Sequence, residues 1–267
     1  MLIKCQIDLQ LFKTLIECVN EISKEICLEA TPMGITLTAM DLSQCCLVDL
    51  EATSKLFTSY KVEIPAGKKR LEIGIATPCL LKILQKIPSA GKGNVACYIS
   101  EKNESQLTIC SDLNVDTGSQ FTCDLQLLEC EPLGLKIPPV DYDAQVKLLS
   151  DIFSSYVDPM ASFGQEVAIT ISGKTNSMMW NTFQSSASNT KCNMYLRDMK
   201  ELTVNAKPTE NFMYAQKFPL SYMLHFLRAK KLFSHVELFF IDGQPLKLQY
   251  ELEDKLKLVF YLAPKIE

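Results

Sequence analysis

Residues 9–22 (LQLFKTLIECVNEI) and 149–160 (LSDIFSSYVDPM) open two stretches of chain that pass through the same succession of elements. Both read as amphipathic helices. Leu9, Phe12, Ile16 and Val19 fall on helical spacing in the first, and Leu149, Phe153, Val157 and Met160 in the second. An alternating, strand-like stretch follows each time, ICLEATPMGITLTAM and then EVAITISGKTNSMMW. Next comes a proline-started helix, TPCLLKILQKI at 77–87 and PLSYMLHFLRAKK at 219–231. Proline suits a first helical turn, where its missing N–H would have no partner in any case. A strand pair closes each half, NVACYIS with SQLTICS and HVELFFID with PLKLQYELE. A repeat this long predicts two copies of one domain, not a short-period solenoid.

The 267 residues suffice for two domains that each bury a core, and 47% hydrophobic with 22% charged residues is a globular composition. No apolar run approaches the roughly 18 residues that span a bilayer, and Lys4 and Asp8 interrupt the start, so neither a membrane anchor nor a signal peptide is expected. The eleven cysteines are odd in number and include no CxxC pair. They read as small core residues of a protein from a reducing compartment, with no metal site.

The net charge of −4 is the wrong sign for a protein that binds nucleic acid over its whole surface, so the distribution of charge decides. The first helix exposes Gln10, Lys13, Glu17 and Asn20 on its polar stripe. The second exposes Lys82, Gln85 and Lys86, with Leu80, Ile83, Leu84 and Ile87 turned inward, and the fourth exposes Ser221, His225, Arg228 and Lys231. The third differs: Asp151, Ser154, Ser155, Asp158 and Ser162 make an acidic face. Any one stripe is an ordinary solvated face; basic stripes that share a surface could hold phosphates without reading bases.

No residues carry catalysis. There are two histidines, His225 and His235, and HExxH, GxSxG, P-loop and GxGxxG patterns are absent. Glu129 and Glu131 lie in a linker-like segment without a histidine nearby. Gly67-Lys68-Lys69-Arg70, between two short strands, reads as a solvated hairpin tip. Between the repeats, CDLQLLECEPLGLKIPPVDY at 123–142 holds Pro132, Gly134, Pro138 and Pro139, which exclude a regular helix. Leu127, Leu128, Leu133, Leu135 and Ile137 make it too apolar for a solvated spacer. An extended connector lying along a surface, able to dock partner peptides, fits both facts.

The terminal Tyr261-Leu262-Ala263-Pro264-Lys265-Ile266-Glu267 resembles the C-terminal signature of the eukaryotic sliding clamp family, proliferating cell nuclear antigen. GITLTAMDLSQCCLVDL at 34–50, Leu133-Gly134 with Ile137-Pro138, and Gln244-Pro245-Leu246 with Tyr250 are similar to further segments of that family. The resemblance spans essentially the whole chain and is sparse between these anchors.

It implies an α+β DNA-clamp fold of two similar domains, 1–122 and 142–267, joined by a connector at 123–141. Each domain would pack two helices on antiparallel sheets, and three subunits would form a ring. The implied function is that of a non-enzymatic processivity factor without cofactors. It would encircle duplex DNA as a homotrimer and tether DNA polymerase, a clamp loader and other proteins bearing a glutamine and paired aromatics. It would work in the nucleus, or in a viral replication compartment. Lys13, Lys82, Lys86, Lys147, His225, Arg228 and Lys231 would face the DNA backbone. Met40, Gln44, Cys45, Leu47, Leu133, Ile137, Pro138, Pro245, Tyr261, Leu262, Ala263, Pro264 and Ile266 would receive the partner peptide.

Ring closure would pair Gly118, Ser119, Gln120, Phe121 and Thr122 with a neighbour's Thr190, Lys191, Cys192, Asn193, Met194 and Tyr195. The family usually has basic side chains where this chain has Ser155 and Asp158, and Lys68, Lys69 and Arg70 lie in a longer loop that would recover positive charge. A subunit of a heterotrimeric checkpoint clamp, or a viral-type factor that is not a closed trimer, stands as the alternative.

Overall fold

The computed structural model describes residues 1–88, 93–112, 118–135, 137–183, 191–196, 202–204 and 212–265. They divide into two compact units. The first comprises Met1–Leu42, Val48–Leu135 and Leu252–Leu258; the second comprises Ser43–Leu47, Lys136–Glu251 and Val259–Glu267.

The first unit runs β1 (Ile3–Asp8), α1 (Leu9–Asn20), β2 (Glu25–Thr31), β3 (Gly34–Met40), β4 (Cys46–Thr53), β5 (Ser59–Val62), β6 (Leu71–Ala76), α2 (Thr77–Lys86), β7 (Asn94–Ser100), β8 (Asn103–Ser111) and β9 (Thr122–Gln126). The second runs β10 (Ala144–Leu149), α3 (Ser150–Phe163), β11 (Glu166–Ser172), β12 (Ser177–Phe183), β13 (Lys191–Leu196), β14 (Leu202–Val204), β15 (Met213–Pro219), α4 (Leu220–Phe226), β16 (His235–Phe240), β17 (Leu246–Leu252) and β18 (Leu256–Leu262).

The duplication holds beyond element order to strand pairing. The first unit has the strand orders β5-β1-β7-β8-β9 and β6-β2-β3-β4; the second has β14-β10-β16-β17-β18 and β15-β11-β12-β13. Each strand of one unit has its counterpart in the same place in the other.

Local chemistry sets the helix ends. The Asp8 carboxylate accepts the Leu11 N–H at 2.8 Å and caps α1, satisfying one of the donors a helix start leaves unpaired. Pro78 stands in the first turn of α2. Thr77, fully buried, fixes that turn: its hydroxyl lies 3.0 Å from Asn20 Oδ1 and 2.9 Å from the Ser23 carbonyl. In α3, Gly164 closes the helix by donating its N–H to the Met160 carbonyl at 3.1 Å.

Several expectations are corrected. Each strand-like stretch is a hairpin of two strands. Pro32 and Met33 form the first turn, with Thr31 opposite Gly34, and Gly173–Asn176 form the second, with Ser172 opposite Ser177. Alternating apolar residues on both arms hide the turn from a periodicity count. Leu149 ends β10 and is exposed, not part of the apolar face of α3. The fourth helix is α-helical only to Phe226 and continues as a 3-10 helix over Leu227–Lys231. Gly67–Arg70 is not a hairpin tip, because β5 pairs with β1 while β6 pairs with β2.

The cores follow from the faces so placed. In the first unit Leu80, Val95 and Ile109 are buried, and Val19 and Leu37 line an apolar cavity of about 70 Å³ with Ile3, Phe12, Ile16 and Ile73 among others. In the second, Trp180 is fully buried with the rings of Phe153 and Tyr156 at 6.0 and 6.1 Å. Phe226 stacks on Phe260 at 4.4 Å, and Tyr250 donates its hydroxyl to the Phe226 carbonyl at 3.1 Å. Each such side chain contributes about 1.5–3 kcal/mol by leaving water. No helix among the described residues is long and apolar enough to cross a membrane.

Candidate nucleic-acid interface and partner-binding surface

The helices pack in pairs, α1 with α2 in the first unit and α3 with α4 in the second. In the first pair Leu15, Ile16 and Val19 of α1 and Leu80, Leu81 and Leu84 of α2 are buried. This turns Gln10 to solvent on α1, with Lys13 half-buried, and leaves Lys82, Gln85 and Lys86 exposed on α2. Lys13 thus lies on the helix that neighbours the basic stripe of α2.

In the second pair Ser221, Arg228 and Lys231 are exposed and His225 is half-buried, its ring 6.4 Å from that of Tyr222. The change to 3-10 winding matters here. At three residues per turn, Arg228 and Lys231 stand one above the other, so the two cations form a single line. Lys147 projects from β10, where its ammonium pairs with Glu237 of β16 at 2.9 Å, directly across the ladder. That pairing already offsets part of its charge.

The acidic helix is partly neutralised from within its own unit. Ser154, expected on the polar face, is buried. Its hydroxyl donates to Asp158 Oδ2 at 2.7 Å and accepts from Lys230 Nζ at 2.9 Å. Lys230 is a side chain that helical spacing did not bring to the third helix, since a regular α-helix would turn it off the Ser221–Lys231 stripe. The available signal was the four-residue spacing of Ser154 and Asp158, which places them on one side of α3. Asp151, Ser155 and Ser162 remain exposed. In the long loop, Arg70 pairs with Glu29 and Glu72, whereas Lys68 and Lys69 are exposed.

Of the residues assigned to peptide binding, Gln44, Cys45, Leu47, Ile137, Pro138, Pro245 and Tyr261–Pro264 belong to the second unit, and Met40 and Leu133 to the first. Ile266 lies outside the described residues. The structure joins the C-terminal segment to the 43–47 segment through the Ala263 N–H, which donates to the Cys45 carbonyl at 2.8 Å. The Lys265 N–H donates to the Lys217 carbonyl at 2.9 Å, and its ammonium pairs with Glu166. Cys45, Tyr261, Ala263 and Pro264 are half-buried, and Gln44 and Pro245 are exposed. Leu47 and Leu262 face the core, Leu262 with no exposed surface. Along the connector Leu133, Leu135, Ile137 and Val140 are 37–48% exposed, an unusual run of apolar side chains in water.

Of the segments assigned to subunit contact, Gly118–Phe121 precede β9 and only Thr122 lies within it. Lys191–Tyr195 lie in β13, and Thr190 lies outside the described residues. Among the described residues, β9 and β13 each end a sheet.

No group of three or more metal-ligating side chains occurs among the described residues. Residues 4–132 match the family described as proliferating cell nuclear antigen, N-terminal domain, and residues 136–265 match its C-terminal domain. Proliferating cell nuclear antigen 2 of Plasmodium falciparum is 28% identical to the chain, over 98% of each. The DNA polymerase sliding clamp of Thermococcus fumicolans is 25% identical over 96% of this chain and 95% of its own. Probable DNA polymerase sliding clamp 1 of Paramecium bursaria Chlorella virus 1 is 24% identical over 94% and 92%. With both domains matched in order over nearly its full length, the chain belongs to the proliferating cell nuclear antigen family of non-enzymatic DNA polymerase sliding clamps, as a divergent member.

Proposed function

We propose that three copies of this chain close head to tail into a ring around duplex DNA, and that the ring holds DNA polymerase and other nuclear replication and repair proteins at their template. The observation that carries this reading is a pair of strands that end sheets among the described residues. β9 ends a sheet of the first unit and β13 ends a sheet of the second. A strand that ends a sheet has an outer edge along which another strand can add. Edges of two different kinds on one chain suit a heterologous contact, which closes when the rotation between subunits is right. Static light scattering tests it. A mass three times the 30.1 kDa of one chain, constant on dilution, is the expected result. A mass of 30.1 kDa at every concentration would reject the homotrimer and favour the subunit of a heterotrimer or an open viral-type factor.

The DNA contact in this reading is made by Lys13, Lys82, Lys86, His225, Arg228 and Lys231, with Lys147 weakened by Glu237. Partner peptides bearing a glutamine and two aromatics would dock on the connector and the C-terminal segment. Their apolar side chains would cover the exposed Leu133 and Ile137, as buried anchors dominate most interfaces. Leu133→Ser combined with Ile137→Ser is therefore expected to weaken such a peptide about tenfold or more, roughly 1.4 kcal/mol, in a fluorescence polarisation titration. The unfolding midpoint should stay put, since exposed side chains add little to stability. Unchanged peptide affinity would remove the connector from the docking site.

A further inference from the structure

The start of the connector is held against β6 by one backbone hydrogen bond, Leu128 N–H to the Gly74 carbonyl at 2.9 Å. Glycine is required there. A Cβ on Gly74 would stand 2.2 Å from the Leu128 carbonyl oxygen and 3.1 Å from Cys130 Cβ. The room left by the missing side chain is taken by the Leu128 carbonyl, with Cys130 beside it.

Gly74 is paired across the ladder with Cys27 of β2. Paired residues point to the same face of a sheet, with Cβ positions about 4.5–5.5 Å apart. On β2 and β6 the core face is Ile26, Leu28 and Ala30 with Leu71, Ile73 and Ile75, so Cys27, Glu29, Glu72 and Gly74 share the other face. Cys130 therefore arrives over the position beside Cys27, near enough for each thiol to act on the other. A disulfide asks for Cβ atoms about 3.5–4.5 Å apart.

We propose that Cys27 and Cys130 form a dithiol site that a low-molecular-weight disulfide, such as oxidised glutathione, closes into a covalent bond tying the connector to the sheet. The half-buried Cys130 reacts first. Its thiolate attacks one sulfur of the oxidant, forming a mixed disulfide and releasing one thiolate. Cys27 then attacks the Cys130 sulfur, the mixed S–S bond breaks, and the second small thiolate leaves. The two protein thiols lose two electrons and two protons, which the oxidant takes up as two thiols.

The order of attack follows from the surroundings. Burial first, then the Cys130 thiol and the carboxylates of Glu72 and Glu29, push the Cys27 thiol up to about 12. It stays protonated and unreactive until its partner's sulfur is delivered beside it. The other facing pair, Cys5 and Cys97, is buried on both sides and out of reach of an oxidant. Closing the bond would fix residues 128–130, a few residues before the exposed Leu133 and Leu135.

The site does not depend on DNA binding or ring formation. The test is to incubate the native full-length chain with oxidised glutathione, block remaining thiols, digest, and map cross-linked peptides by mass spectrometry. A Cys27–Cys130 peptide pair with the loss of two hydrogens is expected, with slower amide exchange at 128–130. Cys27→Ser should instead retain glutathione on Cys130. Wild-type protein that carries glutathione on Cys130 without ever linking to Cys27 would overturn the proposal. So would a chain in which neither thiol is modified.

Discussion

Gly34→Ala is expected to destabilise the first unit by about 3 kcal/mol or more, among the largest effects of adding one methyl group anywhere in the described chain. Two costs combine. The backbone at Gly34 has φ of +149°, a region that side-chain-bearing residues rarely enter, which costs about 1–3 kcal/mol. The added Cβ would also stand 2.1 Å from the Ala52 carbonyl oxygen and 2.8 Å from Thr53 Cα. Both obstacles are backbone, so no rotamer change relieves them, and overpacking of this kind costs about 1–3 kcal/mol more. The Tyr60 hydroxyl further pins the turn, 2.7 Å from the Thr31 carbonyl and 2.9 Å from that of Gly34. Urea unfolding followed by far-ultraviolet circular dichroism reads the change as a lower midpoint at unchanged slope. A loss under about 1 kcal/mol would mean that β3 and β4 can part at no cost, contrary to their close approach here.

Removing the exposed cations should act on DNA and leave folding alone. Lys82→Ala with Lys86→Ala and Arg228→Ala is expected to weaken retention on DNA at least tenfold at about 0.1 M salt. The plot of log affinity against log salt should become shallower by about 0.9 for each phosphate that is no longer neutralised. Stability should shift by less than about 0.5 kcal/mol, because these side chains project into solvent. The converse change tests the acidic helix. Asp158→Asn removes a negative charge beside the Ser154 hydroxyl that Lys230 holds, so it should strengthen retention and steepen the salt dependence. If the triple variant kept wild-type retention, the basic stripes would be ordinary solvated faces and DNA would be held elsewhere.

Much of the architecture was legible because it is written twice. Two helices with matched apolar spacing, two proline-started helices and two closing strand pairs are all present, with ends displaced by a few residues. What escaped was non-local. Nothing in Lys61–Leu71 says that β5 and β6 join different partners, since the pairing residues lie in β1 and β2. The turns at Pro32 and at Gly173–Asn176 escaped because alternation continues on both sides of them.

The charged stripes were read correctly where the helix is regular, at Lys82 and Lys86. The reading went astray at Ser154, whose burial depends on Lys230 reaching across from a 3-10 turn. Lys147 was placed by resemblance alone, and its pairing with Glu237 is visible only once β10 and β16 are set side by side. Likewise the connector's apolar residues were plain in the sequence, whereas the approach of Cys130 to Cys27 over Gly74 required the fold.

Trp180 is the chain's single tryptophan, and it is sealed in the second unit. Its emission therefore reports on half the molecule. Unfolding of the second unit would shift that fluorescence to the red, while unfolding of the first would pass unseen by it. Circular dichroism, which sums over the strands of both units, registers either event. Two optical signals from one sample thus become separate thermometers for two halves of nearly identical design. Any temperature gap between them measures how differently duplicated folds have come to depend on their own side chains.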